Sequence, residues 1–238
     1  MAPVAEALSS VGGVLEPFQT ADSIDGQVEE LRILLDRLGG LPITLCGFSW
    51  GAWLAFIFTA QHANHVRKLI LLSSGSFEEK YAEGIMATRL SRLPEGERKE
   101  LIALMERFDD PAATDKDSAL AGMGRLIARA DAYHPVSGAE SGFEVRYDIY
   151  RNVWREADEL RRNGRLLDLG RQIRCPVVAI HGDYDPHSSA GVKIPLSRVL
   201  SDFRFILLKK CGHRPWIEKE AKDDFFEVLK NEWRSAGG

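Results

Sequence analysis

The sequence has few cysteines and no block of positive charge. Three cysteines, Cys46, Cys175 and Cys211, occur in 238 residues, and none of them forms a CxxC pair. An odd number without paired spacing argues against a disulfide framework and against a zinc site, so we expect neither a metal nor another cofactor. The formal net charge is -4 and the pI is about 5.9, without a basic stripe. This charge pattern argues against nucleic acid as a partner.

Long apolar runs are also missing. The longest one, residues 51–60, is too short to cross a bilayer. The first residues, MAPVAEALSSVGGV, lack the basic flank and the long apolar stretch of a signal peptide. We therefore expect a cytoplasmic protein that does not associate with membranes.

Short apolar runs alternate with segments of helical periodicity, except in the middle of the chain. This alternation predicts an α/β fold, with a mostly parallel sheet flanked by helices. Residues 76–168 show helical periodicity alone, so we expect an inserted all-helical cap (76–168) on a core domain made of residues 1–75 and 169–238. The predicted strands are 13–17, 42–47, 67–73, 176–181 and 203–208, and the predicted helices are 25–38, 50–62, 78–92, 96–107, 118–130, 142–163, 191–200 and 215–233.

The segment Gly47-Phe48-Ser49-Trp50-Gly51 fits the pattern G-x-S-x-G between a predicted strand and an apolar helix. In that setting a serine hydroxyl is exposed on a tight turn, and small residues on both sides let the backbone segments approach closely. The backbone N–H of Trp50 is then a candidate oxyanion donor. Phe48 and Trp50 either line a substrate pocket or pack into the core. The simpler alternative is that Ser49 only caps the helix.

Two carboxylates follow the predicted strand 176–181, in the segment His181-Gly182-Asp183-Tyr184-Asp185. An acid just after a buried strand can accept a hydrogen bond from an imidazole, and aspartate is also common in tight turns. We assign Asp185 as the acid and Asp183 as the residue that forms the turn.

His213 follows the predicted strand 203–208 and comes directly after a glycine. Taken alone it could be a surface histidine, and Cys211 two residues earlier could be its partner. The chain order Ser49, Asp185, His213, with each residue after a strand, favours a catalytic triad instead. His213 would take the proton of Ser49, and Asp185 would orient His213.

Other histidines and aromatic residues receive structural interpretations. His187 and His134 lie in predicted loops without a carboxylate at metal-ligand spacing, so neither is assigned as a ligand. Aromatic residues of the cap recur at helical spacings and are predicted to pack the cap onto the sheet domain; they are Tyr133, Phe143, Tyr147, Tyr150 and Trp154.

The segments GFSWG, HGDYDPH and CGHRPWIEKE resemble the nucleophile turn, acid loop and histidine loop of the α/β-hydrolase superfamily. The resemblance covers residues 13–73 and 172–233, and it implies the triad Ser49, Asp185 and His213. The family's HG-type loop, which supplies a second oxyanion donor, has no counterpart before Ser49. We expect a chain shortened at its N-terminus or a donor from elsewhere. The unpaired sheet edge that this would leave suggests a possible homodimer.

The favoured function is a serine hydrolase that cleaves a small carboxylic ester or amide through an acyl-enzyme on Ser49. Esters are preferred because an aromatic helical cap suits a modest apolar small-molecule substrate. Two alternatives remain open at this point: a catalytically impaired binding or scaffold protein with the same fold, and an acyltransferase that uses the same triad.

Overall fold

The computed structural model describes residues 1–137 and 146–235. Its sheet has four parallel strands in the spatial order β1-β2-β3-β4. Four of the five predicted strands are confirmed, with bounds that shift by at most one residue. They are β1 (Ile43–Phe48), β2 (Val66–Leu72), β3 (Val177–Gly182) and β4 (Phe203–Leu208).

The two central strands are covered on both faces, which is why their sequences are apolar without alternation. Every residue of β3 is buried, and in β2 only Arg67 is exposed. Leu69 and Leu71 pack into the hydrophobic cluster on one face of the sheet, whereas Ile70 and Leu72 pack into the cluster on the other face. Successive side chains of β2 thus serve two separate cores, as the two-residue period of a strand requires.

Five helices of the core domain supply these two layers. One layer holds α2, α3 and α9, and the other holds α1 and α10. In α3 every residue from Ala52 to Ala60 is buried, which explains why this helix is apolar nearly all round. The bounds are α1 (Ala2–Ser9), α2 (Ile24–Leu38), α3 (Trp50–Gln61), α9 (Ala190–Val199) and α10 (Lys222–Arg234).

The insertion between β2 and β3 is helical, as predicted from its periodicity. It has a small hydrophobic cluster of its own, which includes Leu101, Met123 and Leu126. Phe143 and the start of the predicted helix 142–163 lie outside the described residues. The helices of the insertion are α4 (Ile85–Arg92), α5 (Glu95–Asp109), α6 (Lys116–Ala130), α7 (Tyr147–Arg162) and α8 (Arg165–Asp168), with short 3₁₀ helices at Glu79–Tyr81 and Leu169–Gln172.

The prediction of a strand at residues 13–17 was wrong. This segment has no regular structure, and Leu15 is 48% exposed. β1 lies at the edge of the sheet, but residues 13–17 pair neither with its open side nor with another strand of the described residues, and a strand exists only through such pairing. Val14 instead packs its side chain against the cluster that contains α1 and α10.

Two predicted helices are interrupted. The helix predicted at 78–92 is a 3₁₀ turn followed by α4, because Gly84 takes a left-handed conformation with φ +82° before Ile85. The helix predicted at 215–233 is likewise a 3₁₀ helix, Pro215–Ile217, followed by α10. Across residues 1–137 and 146–235, no helix combines the length and the apolar character that crossing a bilayer requires.

The turn between β1 and α3 places Ser49 in an unusual conformation, with φ +54° and ψ -118°. The close approach depends on Gly47, because a Cβ at that position would lie 2.1 Å from the carbonyl oxygen of Gly51. A Cβ on Gly51 would meet no atom of the described chain within 4 Å. The steric need for a small residue therefore falls on Gly47 and not, as the motif suggests, on both glycines.

We expect Gly47→Ala to lower the free energy of unfolding by at least about 2 kcal/mol, because backbone atoms cannot move aside as a flexible side chain can. Gly51→Ala is the matched control, and its effect should stay within about 1 kcal/mol, since alanine favours a helix. Urea denaturation followed by circular dichroism measures both variants. Equal losses of stability in the two proteins would contradict this account of the turn.

Candidate active site

The three side chains predicted as a triad meet at the carboxyl ends of the strands. Ser49 follows β1, Asp185 follows β3 and His213 follows β4. The Ser49 Oγ lies 3.0 Å from His213 Nε2, and His213 Nδ1 lies 2.7 Å from Asp185 Oδ2. Both distances lie in the range of a normal hydrogen bond. The serine side chain makes no capping hydrogen bond to α3, which argues against the simpler reading of Ser49 as a helix cap.

The Asp185 carboxylate is buried and fully hydrogen bonded. Its Oδ2 atom accepts from His213, and its Oδ1 atom accepts from both the backbone N–H and Nδ1 of His187, each at 2.9 Å. Burial raises the pKa of Asp185, but the neighbouring His213 and His181 and the donated hydrogen bonds outweigh it and hold the pKa well below its usual range. The carboxylate is therefore ionised at neutral pH, and it fixes a proton on Nδ1 of His213 and on Nδ1 of His187.

Asp183 and Cys211 occupy structural positions next to the triad. The Oδ1 atom of Asp183 accepts from the backbone N–H of Cys211 at 3.3 Å, which ties the acid loop to the histidine loop. Cys211 is buried, its Sγ donates to the carbonyl of Gly212, and burial raises the pKa of the thiol. A thiol that stays protonated and points at a carbonyl is not the partner of His213.

Phe48 and Trp50 flank Ser49 and both line the adjoining cavity. The ring of Phe48 lies 4.9 Å from the ring of His213, and Trp50 Nε1 donates to Gln27 Oε1 at 3.3 Å. The backbone N–H of Ser49 itself donates to the carbonyl of Leu72 at 3.0 Å. The Ser49 N–H is thus already engaged, and the N–H of Trp50, at the positive end of α3, stays the candidate oxyanion donor.

Glu218 is a buried carboxylate that holds the histidine loop against the insertion, and no motif in the sequence predicts this role. It accepts hydrogen bonds from the backbone N–H groups of Gly212 at 3.0 Å, Tyr133 at 2.9 Å and His134 at 2.7 Å. In the sequence it is one glutamate among the charged residues that follow Ile217, and an exposed glutamate would look the same.

Asp131, at the end of α6, contacts the histidine loop from the insertion. Its backbone carbonyl accepts from the N–H of His213 at 2.9 Å, and its carboxylate accepts two hydrogen bonds from Arg89, at 2.8 and 2.7 Å. Gly212 is required here, because a Cβ would lie 2.1 Å from the Asp131 carbonyl oxygen. The backbone of His213 is thus anchored to the insertion as well as to β4.

His187 belongs to the site, although its position in the sequence predicted no role for it. Its ring lies 4.8 Å from the ring of His213, and both imidazoles bind Asp185. Donor atoms of Asp185, His187 and His213 lie within 4.8 Å of one another, a spacing at which side chains can share a metal ion. The carboxylate oxygens are, however, already engaged by imidazole N–H groups, so a cation there would compete with the hydrogen bonds that orient His213.

A cavity of about 990 Å³ opens next to Ser49, between the sheet domain and the insertion. Trp154 stacks in parallel between Trp53, at 5.8 Å, and Tyr150, at 6.2 Å, and all three line this cavity. Arg89 is paired with Asp131 and Arg161 with Glu79. The wall thus combines aromatic surface with charges that neutralise each other locally.

Of the cap aromatics predicted to pack onto the sheet domain, Trp154 does so against Trp53 of α3. Tyr133 contacts the ring of Tyr184 at 5.2 Å. Tyr147 contacts Phe108 inside the insertion instead, so the packing prediction was wrong for Tyr147.

Comparison with known proteins agrees with this fold. A profile described as alpha/beta hydrolase fold matches residues 16–220. The chain is 25% identical over 202 residues to a pimeloyl-[acyl-carrier protein] methyl ester esterase of Nitrosomonas europaea, covering 82% of this chain and 72% of that protein. It is 24% identical over 222 residues to a proline iminopeptidase of Lactobacillus delbrueckii subsp. lactis, covering 90% and 73%.

Among solved structures, that of VinJ superimposes with a TM-score of 0.63 at 19% identity, over 90% of this chain and 73% of VinJ. At this identity the likeness concerns the fold alone, and it agrees with the parallel sheet and its helical layers. The profile match covers well over half of the sequence. The chain therefore belongs to the α/β-hydrolase fold family, as its resemblance to that family predicted.

Proposed function

We propose that the protein is a serine hydrolase that cleaves a small carboxylic ester or amide through an acyl-enzyme on Ser49. The observation that carries this proposal is the series of hydrogen bonds from Ser49 Oγ through His213 to Asp185. The series faces a cavity large enough for a small molecule. Family membership supports a hydrolase in general, and these three side chains supply the proposed chemistry.

The proposed reaction begins when His213 Nε2 takes the proton of the Ser49 hydroxyl as Oγ attacks the carbonyl carbon. The ionised Asp185 stabilises the imidazolium that forms. The N–H of Trp50 and the positive end of α3 stabilise the oxyanion. The leaving alcohol or amine departs with the proton from His213. Water then attacks the acyl carbon as His213 takes its proton, the bond to Oγ breaks, the carboxylic acid leaves and His213 returns the proton to Ser49.

An uncharged, largely apolar ester is the substrate class that fits best. Stacked aromatic rings form part of the cavity wall, and two of its charged lining residues, Arg89 and Arg161, are paired with carboxylates. The two relatives described above are, by name, an esterase and a peptidase, so they support either leaving group. We place esters first because the apolar wall offers few partners for a peptide backbone.

A fluorophosphonate probe should label the wild-type protein, and Ser49→Ala should lose both the label and the hydrolysis of short p-nitrophenyl esters, by at least about 10³-fold. Ser76→Ala is the matched control, since Ser76 lines the same cavity but donates to the backbone of Tyr81. Labelling followed by mass spectrometry identifies the modified residue. An unlabelled, inactive wild type that still binds ligands would overturn the proposal in favour of a binding protein.

Asp185→Asn should lower kcat by about 10⁴-fold, because an amide can no longer fix the proton on Nδ1 of His213. Asp183→Asn keeps an oxygen that can accept from the Cys211 N–H, so its kcat should stay within about tenfold of wild type. Steady-state kinetics on the same ester measures both. If the two variants lose activity equally, the assignment of Asp185 as the acid is wrong.

Hydrolysis should depend on pH through an imidazole. The base must be neutral, so kcat/KM should fall on acidification as the imidazole is protonated and should level off once the imidazole is neutral. Asp185 contributes nothing to this fall, because its pKa is held well below its usual range. A profile of kcat/KM that is flat from about pH 5 to 8 would contradict a histidine base.

A further inference from the structure

Asp185 is shared by two imidazoles, of which the proposed mechanism uses one. His213 Nδ1 binds Oδ2 at 2.7 Å, and His187 Nδ1 binds Oδ1 at 2.9 Å. The two rings lie 4.8 Å apart and are inclined by 33°. Because both Nδ1 atoms face one carboxylate, both Nε2 atoms point away from it. That of His213 meets Ser49, and His187 lies in the wall of the same cavity.

The protonation state of His187 follows from its partners. A carboxylate only accepts hydrogen bonds, so His187 carries its proton on Nδ1. Burial lowers the pKa of His187; Asp185 opposes this effect, whereas the nearby His213 and Arg89 add to it. The ring is therefore neutral near pH 7, and Nε2 presents a lone pair. The side chain is 13% exposed, which leaves an edge of the ring accessible from the cavity.

The position of His187 is fixed by the backbone around it. The buried His181 donates from Nε2 to the carbonyl of His187 at 2.8 Å, and the N–H of His187 donates to Asp185. With its proton on Nε2, His181 keeps a bare Nδ1, and this atom has no hydrogen-bond partner in the described part of the chain. Three histidines thus surround one carboxylate, and His181 serves to hold His187 in place.

We propose that His187 is a specificity residue whose Nε2 accepts a hydrogen bond from a hydroxyl group of the substrate next to the scissile ester. This inference rests on the proposed hydrolase function and narrows its substrate class to hydroxylated esters. An uncharged hydroxyl fits better than an ammonium group, because the neutral His187 offers no negative charge and the Asp131 and Glu79 carboxylates of the same wall are engaged by Arg89 and Arg161. The hydroxyl lies either on the acyl group or on the alcohol, and the test below distinguishes these two positions.

A fixed acceptor discriminates because a substrate without the hydroxyl displaces water from Nε2 and leaves the atom unpaired. The partial exposure of His187 limits the effect compared with a fully buried site. We expect a preference of about 10- to 100-fold in kcat/KM for the hydroxylated ester over its plain counterpart.

The test compares ethyl butanoate with ethyl 2-hydroxybutanoate, ethyl 3-hydroxybutanoate and 2-hydroxyethyl butanoate, followed by proton release. Wild type should prefer at least one hydroxylated ester, and which one it is locates the hydroxyl on the acyl or the alcohol side. His187→Phe and His187→Leu should reduce the preference to within about threefold, because neither side chain accepts a hydrogen bond. His187→Gln, whose amide oxygen can accept, should restore part of it.

The readout is the ratio of kcat/KM values for two esters within each variant. A loss of folded protein, or of the hydrogen bond from His187 to Asp185, lowers both values by the same factor and does not change their ratio. Ser188→Ala, at the neighbouring position, is the control and should keep the wild-type ratio. Hydrolysis of ethyl butanoate with no preference among the esters, or a preference unchanged in His187→Phe, would overturn this inference alone. No hydrolysis together with no fluorophosphonate labelling would overturn the proposed function as well.

Discussion

Parallel pairing of four strands is the constraint on which the site depends. In a parallel sheet all carboxyl ends lie at one edge, so the segments that follow β1, β3 and β4 must leave the sheet side by side. The register keeps these ends level, with Phe48 opposite Leu72 and Gly182 opposite Leu208. Ser49, Asp185 and His213 are far apart along the chain, and this alignment brings them within hydrogen-bonding distance.

Charge is concentrated at one buried point of that edge. Asp185 is ionised in a site from which water is largely excluded, and the three N–H groups that face it compensate for the lost hydration. The carboxylate in turn decides which nitrogen of His213 and His187 carries a proton. One buried negative charge therefore orients both imidazoles whose free edges face the cavity.

The insertion does more than cover the cavity. Asp131 and Glu218 connect it to the histidine loop through backbone hydrogen bonds, and Arg89, which lines the cavity, binds the Asp131 carboxylate. The wall that would contact a substrate and the backbone that holds His213 are thus joined by one series of contacts. A displacement of α4 or α6 would shift the backbone of His213, because Gly212 is packed so closely against Asp131 that it has no space in which to absorb the movement.

The sequence by itself determined the order of strands and helices, the helical insertion and the three residues Ser49, Asp185 and His213. Local pattern sufficed because apolar runs, helical periodicity and the glycine-flanked serine each reflect contacts close in sequence. The prediction of a strand at residues 13–17 was wrong, since a strand forms only by pairing with a second strand, and the local sequence pattern does not reveal whether one is available. The roles of His187, Asp131 and Glu218 were decided by the tertiary structure alone. Their partners are backbone groups or a shared carboxylate brought near by folding, and an isolated histidine or acid looks the same in a sequence whether it is buried at a site or exposed to water.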